Sequence, residues 1–253
     1  MNPIRCLVFV AVLNAGLGVC LLPADGAAQT FVFGSGGARV EGSGNVIEDV
    51  RSVPPFSGLV VAGPVDVRLR AGSAERVVVQ ADDNIAPLIT TTVEGGKLVV
   101  GLKPGASFRT RSRMYAEVGF REIASVLVRG SGDVHADRIS APIFEATLRG
   151  SGDVSIDALD SDAVALSIAG SGDFTAAGRA AKLGVVIVGS GDVRADKLQA
   201  REVAVRIRGS GDARVHAGES LQADIAGSGD VLYRGAPAVT KKVAGSGEVR
   251  PLR

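Results

Sequence analysis

The sequence has few of the residues that usually carry catalysis, metal binding or aromatic stacking. In 253 residues there are no tryptophans, 4% aromatic residues, two histidines and two cysteines. Both cysteines, Cys6 and Cys20, lie in an apolar N-terminal segment. If that segment is removed, disulfides, thiol catalysis and thiolate zinc sites are excluded together. The lack of tryptophan also removes the usual platform for sugar stacking.

An excess of either charge is missing as well. Lysine and arginine total 28 against 27 aspartate and glutamate, so the formal net charge is +1. Because no net positive field would gather phosphates, nucleic acid is not expected as a partner. The 46% hydrophobic content comes mainly from valine, alanine, leucine and isoleucine, which favours a thin core of small side chains.

Residues 1–28 have the pattern of a secretory signal peptide. A short positive stretch at Met1–Arg5 precedes the apolar run Cys6–Leu22, and Gly26-Ala27-Ala28 places small residues before Gln29. An uncleaved anchor is one alternative, although 17 apolar residues fall short of the ~20 that cross a membrane. A lipoprotein modified at Cys20 is another. After cleavage, no integral membrane segment is expected. The exported chain is expected in the periplasm, in association with the outer membrane, or outside the cell.

A repeated tetrapeptide dominates the remaining sequence. Gly-Ser-Gly-Asp recurs at intervals of 18–20 residues and ends with one Gly-Ser-Gly-Glu. The repeats begin at Gly130, Gly150, Gly170, Gly189, Gly209, Gly227 and Gly245. Before each of the first six repeats the second, fourth and sixth residues are apolar or small, as in Ile168, Leu166 and Val164 or in Val128, Val126 and Ala124. This alternation predicts strands with one buried face.

The regular spacing predicts an all-β fold, a single-stranded parallel β-helix whose coils stack like columns above one another. Each coil would contain a strand, a Gly-Ser-Gly-Asp corner, a second strand and a looser return. An antiparallel β-sandwich is the alternative, but it would not need the same corner every 18–20 residues. A right-handed coil is expected, because the six-residue period of left-handed β-helices is absent.

The domain organisation follows from the same pattern. Residues 29–45 are expected to be a flexible leader and residues 46–253 a single β-helical domain, with 57–121 following the same plan through longer excursions. Lys103–Arg113 is interpreted as a loop. Three residues are expected to prevent a further strand from pairing with the last strand edge: Lys241, which is at an inward position, Lys242 and Pro251.

The corner carboxylates are the main candidates for a site. Stacking would set successive carboxylates ~5 Å apart along one edge, where hard oxygen ligands suit Ca²⁺. The favoured alternative is that each aspartate accepts backbone N–H groups of its own corner, so that no metal is required. The candidate residues are Asp133, Asp153, Asp173, Asp192, Asp212, Asp230 and Glu248.

Other candidates for chemistry are weak. His135 and His216 lie at different offsets in distant repeats and are interpreted as surface residues. The segment with Arg109, Arg111, Arg113 and Tyr115 is the one irregularity suited to a groove, but it contains no paired acids for a glycosidase. No catalytic residue and no cofactor-binding residue is predicted, and the chain is not expected to be an enzyme.

Several segments together resemble a known family. Gly44-Asn45-Val46, Phe56 to Val61, Gly63 to Val67 and Ala81-Asp82-Asp83-Asn84 occur in an order similar to that of the bacterial head GIN domain, whose members are described as putative auto-transporter adhesins. The resemblance spans about residues 45–249 and implies an exported β-helical domain of unknown function. Because the sequence ends at Arg253, self-translocation through a membrane barrel, as in an autotransporter, is not expected.

The expected function is therefore an exported, non-catalytic, adhesin-like structural and interaction module of the bacterial cell envelope. Its expected partner is an envelope or surface protein or glycan, and no cofactor is expected. The alternative is a carbohydrate-active or calcium-binding β-helix protein.

Export can be tested on the native protein. Mass spectrometry of protein from the native envelope is expected to show a chain that begins near Gln29, because the small residues Ala27 and Ala28 mark the cleavage position. Recovery mainly of the full-length chain would contradict cleavage, and a diacylated Cys20 would favour the lipoprotein.

Overall fold

The computed structural model describes residues 39–72 and 74–252. The expected signal peptide at 1–28 and most of the expected leader lie outside the described residues. The regular secondary structure of the described residues is all strand apart from one 3₁₀ turn at Ala86–Leu88, and strands make up 69%. Within these residues there is no helix long and apolar enough to cross a membrane.

The first nine strands lie in the less regular N-terminal part. They are β1 (Val40–Glu41), β2 (Val46–Arg51), β3 (Gly58–Gly63), β4 (Asp66–Ala71), β5 (Arg76–Asp82), β6 (Ile89–Glu94), β7 (Lys97–Leu102), β8 (Phe108–Arg109) and β9 (Tyr115–Phe120).

Eleven further strands follow the repeats. They are β10 (Ser125–Gly130), β11 (Val134–Ala136), β12 (Ile139–Ser140), β13 (Ile143–Gly150), β14 (Val154–Gly170), β15 (Phe174–Gly189), β16 (Val193–Gly209), β17 (Ala213–Gly227), β18 (Val231–Arg234), β19 (Ala238–Gly245) and β20 (Val249–Pro251).

The predicted parallel β-helix is confirmed as a solenoid of about six turns. Two parallel stacks run along it, one before the corners and one after them. The first contains β7, β3, β10, β13, the C-terminal halves of β14 to β17, and β19. The second contains β9, β4, β11, the N-terminal parts of β14 to β17, then β18 and β20.

The return segments differ from the prediction. A looser return was expected, yet β14, β15, β16 and β17 run from one corner to the next as single strands of 15–17 residues. Register shifts, such as the one between Ile156 and Leu159, let the strands bend while the ladder continues. Continuous pairing satisfies the backbone groups that a loose return would leave to water.

The core consists of inward columns built from equivalent residues. Ala146 pairs with Leu166, which pairs with Val185, and all three side chains are buried. The prediction for these columns is confirmed except at Ala124, which is exposed while neighbouring Ile123 is buried. The chain bends immediately before β10, so the alternation of the strand does not extend back across that bend.

The N-terminal end departs most from a simple coil. β6 pairs antiparallel with β7, β5 antiparallel with β9, and β2 antiparallel with β5. These strands occupy the end of both stacks, where a further parallel coil was expected. Antiparallel strands complete the ladders at this end and cover the first inward columns.

Two smaller expectations for this end are wrong. The segment Lys103–Arg113, interpreted as a loop, contains β8, which pairs with β1. Residues 39–45 were assigned to a flexible leader, but β1 and β8 form a separate two-stranded parallel sheet and Ser43 is hydrogen-bonded to Asp83.

The corners explain the two glycines of each tetrapeptide. The first has a positive φ, 145° at Gly150, which side-chain-bearing residues rarely adopt. At the second, a Cβ on Gly152 would collide with the carbonyl oxygen of Gly132 in the previous coil. Stacked corners therefore require glycine at both places.

The C-terminal edge has the residues expected to blunt it. Lys241 pairs with Ala223 in an inward column, as predicted, and every residue of β19 is exposed. A charged side chain at an inward position disfavours the addition of another coil.

The inward register can be tested by a matched pair of substitutions. Leu166→Asp is expected to abolish soluble folding, because it buries an unpaired charge between Ala146 and Val185. Ala165→Asp, one residue away on the exposed face, is expected to change the free energy of unfolding by about 0.5 kcal/mol or less. Soluble yield and thermal melting measure both, and equal tolerance would contradict the register.

Candidate functional site

The corner carboxylates form one continuous ladder between coils. Asp153 Oδ1 accepts a hydrogen bond from the backbone N–H of Asp173 at 2.8 Å, and Asp173 Oδ1 accepts one from Asp192 at 2.9 Å. The same bond recurs at 2.8–3.1 Å from Asp66 to Glu248. Asp66 thus belongs to the ladder, although its corner lacks the tetrapeptide.

This geometry corrects the expectation that each aspartate bonds to its own corner. The acceptor and donor lie in successive coils, 18–20 residues apart except for the first pair. Each bond takes the place of a hydrogen bond between backbone groups of neighbouring strands. At the bend, a carboxylate oxygen accepts from the N–H where a backbone carbonyl oxygen would accept within a strand. The remaining oxygen is available to solvent or cations, as at Asp173, where it lies 2.9 Å from Arg194.

The corner acids considered as weak calcium candidates do not converge on one point. Among the described residues, only His135, Asp137 and Asp157 place three ligand atoms within 4.8 Å of one another. None of the seven corner acids proposed from the sequence belongs to this group. We therefore assign the ladder a structural role in joining coils.

The His135 cluster lies on the outward face of two adjacent coils. His135 is in β11 and its register partner in β14 is Ser155. The imidazole Nε2 is 3.2 Å from Asp137 Oδ1 and 3.5 Å from Asp157 Oδ2, while Nδ1 is 2.9 Å from Ser155 Oγ. His135 is therefore held between acids, and its interpretation as a plain surface residue is wrong.

Two arginines lie on the neighbouring strand β4. Arg70 contacts the other oxygen of Asp137 and lies 3.9 Å from Glu117, and these two acids raise the pKa of its guanidinium. Arg68 lies over the ring of Tyr115 at 4.0 Å. Because Tyr115 is in β9, on the opposite side of β4 from β11, this contact directs Arg68 away from His135.

The repeat contained a signal for this cluster. Asp137 and Asp157 each lie four residues after a corner aspartate, and they are 20 residues apart. The corresponding positions in other coils include Ala177 and His216, so the acidic column is short and interrupted. A comparison of outward positions between adjacent repeats would have identified it.

The other sequence candidates are dispersed. Arg109 lies in β8, whereas Arg111 and Arg113 are exposed between β8 and β9. His216 lines an open groove of about 540 Å³ on the return side, together with Asp160 and Asp162. Asp160 lies 3.9 Å from Arg179, so this groove does not present a free acid pair.

A polar cluster holds the N-terminal segment to the solenoid. Asp83 accepts hydrogen bonds from the Ser43 hydroxyl at 2.5 Å and the Asn45 amide at 3.0 Å, which lower its pKa. Asp82 is buried, with Thr110 donating to Oδ2 at 2.7 Å, and the Ser112 and Thr110 hydroxyls lower its pKa. The bonds from Ser43 and Asn45 to Asp83 make the cluster a latch, whereas Asp82 Oδ1 is buried without a hydrogen-bond partner among the described residues.

The outward face of the first stack is flat and lacks acids at its centre. Ala165, Ser167, Ala169 and Gly184 are small, and Val188 is 49% exposed. Arginines border this area on both sides: Arg129 and Arg149 on one, Arg206 and Arg208 on the other. We call this surface the arginine-bordered face.

These observations define the chain as a parallel β-solenoid with a latched N-terminal end and open outer faces. Residues 55–237 match the family described as "Putative auto-transporter adhesin, head GIN domain". The chain belongs to the head GIN domain family, which confirms the resemblance seen in its motifs.

Solved structures share this fold at low sequence identity. A putative adhesin from Bacteroides fragilis has a TM-score of 0.81 and 22% identity, covering 84% of this chain and 100% of its own. A putative lipid binding protein from Parabacteroides distasonis has a TM-score of 0.69 and 24% identity, covering 85% of this chain and 100% of its own. The comparison with curated proteins gives no match.

The role of the ladder can be tested at Asp173. Asp173→Asn is expected to cost little, because an amide oxygen still accepts the Asp192 N–H. Asp173→Ala is expected to lower the free energy of unfolding by about 1 kcal/mol, because that N–H loses its partner. Chemical denaturation measures both changes.

The control is Asp224→Ala, which removes an exposed strand carboxylate with no such bond and is expected to be nearly neutral. Millimolar Ca²⁺ is expected to leave the melting temperature unchanged. A Ca²⁺-dependent rise that disappears in the Asp→Asn variant would show that the corners bind calcium.

Proposed function

We propose that the chain is an exported, non-catalytic structural and interaction module of the bacterial cell envelope, adhesin-like in its mode of action. Its membership of the head GIN family supports a role in adhesion at the surface or envelope. The apolar N-terminal run before Gln29 supports export.

The observation that carries the interaction role is the arginine-bordered face. Arg129 and Arg149 are register partners on adjacent coils, both exposed, and neither forms an ion pair with any described residue. Two like charges one coil apart repel each other unless an external anion lies between them. A flat centre of small side chains would allow a broad partner to approach both borders.

The proposed partner is an envelope protein or glycan that presents anionic groups to this face. Arg208, at the opposite border, also forms no ion pair within the described part of the chain. The bidentate geometry of guanidinium suits carboxylates and phosphates on such a partner. The near-zero net charge makes recognition depend on this local arrangement and not on a global field.

A non-catalytic role agrees with the outer geometry. The depression beside Arg138 and Arg179 has a volume of about 130 Å³ and contains one acid, Asp160. A glycosidase needs two carboxyl groups facing one substrate bond. Recognition over an extended face requires no enclosed pocket.

The proposal is tested by charge reversal on the arginine-bordered face. Purified protein is mixed with isolated cell envelopes, and the bound fraction is measured by sedimentation. The Arg129→Glu and Arg149→Glu double variant is expected to bind at least about tenfold more weakly, because each reversal removes an attraction and adds a repulsion. Wild-type binding is expected to weaken as salt is raised.

The matched control reverses Arg179 and Arg201, two exposed arginines on the return side. Circular dichroism checks that both double variants are folded. Equal binding by both variants would contradict this interaction face. Release of soluble saccharides from the envelopes would contradict the non-catalytic role.

A further inference from the structure

We propose that His135, Asp137 and Asp157 bind one divalent transition-metal ion, with Zn²⁺ as the representative ion. This site is separate from the arginine-bordered face and does not depend on the proposed adhesion role. It joins two adjacent coils, since Asp137 follows β11 and Asp157 lies in β14.

The distances between ligand atoms fit a small metal ion. Zinc binds imidazole nitrogen and carboxylate oxygen at about 2.1 Å, which places ligands about 3.0 Å apart at right angles and about 3.4 Å apart at tetrahedral angles. The two measured separations from His135 Nε2 are 3.2 and 3.5 Å. The two carboxylate oxygens lie within 4.8 Å of each other, so all three atoms can face one ion once the exposed carboxylates turn toward it.

The orientation of the imidazole allows a cation at Nε2. In one neutral tautomer Nε2–H donates toward Asp137 and Nδ1 accepts from the Ser155 hydroxyl, and in the other Nδ1–H donates to Ser155 Oγ while the Nε2 lone pair faces two carboxylate oxygens. A metal ion at Nε2 selects the second tautomer. Metal-binding histidines commonly hold their second nitrogen in such a hydrogen bond, so Ser155 is a positioning residue.

The surrounding charges are compatible with a divalent ion. Asp137 and Asp157 carry two negative charges, and Arg70, which contacts the outer oxygen of Asp137, is shared with Glu117. Arg68, the remaining cation of β4, is held over Tyr115 on the side away from the cluster. The cluster therefore keeps excess negative charge for the ion.

The ligand set favours a transition metal over calcium. Imidazole suits zinc, copper and nickel, whereas calcium prefers six to eight oxygen ligands. The three side chains are 42–65% exposed, which leaves further coordination positions open to water or to a partner's group. Three protein ligands with an open position are typical of an accessible zinc site.

Isothermal titration of the purified, metal-free protein with Zn²⁺ tests the proposal. We expect one ion per chain in the wild type. His135→Gln and Asp157→Asn are expected to weaken binding by more than about tenfold, and Ser155→Ala by about tenfold through loss of imidazole orientation. Ca²⁺ is expected to bind far more weakly than Zn²⁺.

Asp196→Asn is the matched control. Asp196 occupies the same position of its coil, but it belongs to no group of three close ligand atoms among the described residues, and it lies 3.4 Å from Arg234. This variant is expected to bind Zn²⁺ like the wild type, and thermal melting checks that every variant is folded. Wild-type protein that binds no Zn²⁺, or binding unchanged by His135→Gln and Asp157→Asn, would overturn the proposal. Binding of Ca²⁺ as tight as that of Zn²⁺ would also overturn the proposal.

Discussion

The hydrogen bond from each corner amide to the carboxylate of the preceding coil is the interaction on which the solenoid depends. At the bend the backbone turns away from its neighbours, and the Asp173 N–H would lack an acceptor without Asp153. The same closeness leaves no space for a Cβ at Gly152 or Gly172. Carboxylate and glycines together fix the register of each coil on the next. The inward columns, such as Ala146, Leu166 and Val185, follow from that register.

Much of the fold could be predicted because register repeats in the sequence. One interval between corners places Leu166 above Ala146, and alternation then assigns every neighbouring side chain to a face. The N-terminal end could not be predicted in this way. The alternation of apolar and polar residues in β5 and β6 is the same whether their partner strands are parallel or antiparallel. The direction of pairing depends on contacts with strands distant in the sequence. Near Ile123 the prediction also failed, because a bend in the chain places Ile123 inward and Ala124 outward, and alternation alone does not reveal such a bend.

The candidate sites were harder to predict, because chemistry in a solenoid depends on which coils are adjacent. The corner aspartates were recognised as a ladder, but spacing alone did not show that the N–H donor belongs to the next coil. Asp137 and Asp157 are 20 residues apart in the chain and become neighbours only through stacking. Inward and corner positions repeat because every coil needs them. Outward positions are free to differ, so a site such as His135 with its two acids arises where two adjacent coils differ from the rest.

This division also separates what identifies the family from what performs its function. Two of the motifs that resemble the head GIN domain, Gly44-Asn45-Val46 and Ala81-Asp82-Asp83-Asn84, meet in the N-terminal latch, where Asn45 donates to Asp83 at 3.0 Å. Another of the four, Gly63 to Val67, contains the corner that begins the carboxylate ladder at Asp66. These motifs close and align this solenoid at its N-terminal end. Arg129 and His135, on which the proposed interaction face and the proposed metal site depend, lie outside these motifs, so closing the fold and binding a ligand depend on different residues of this chain.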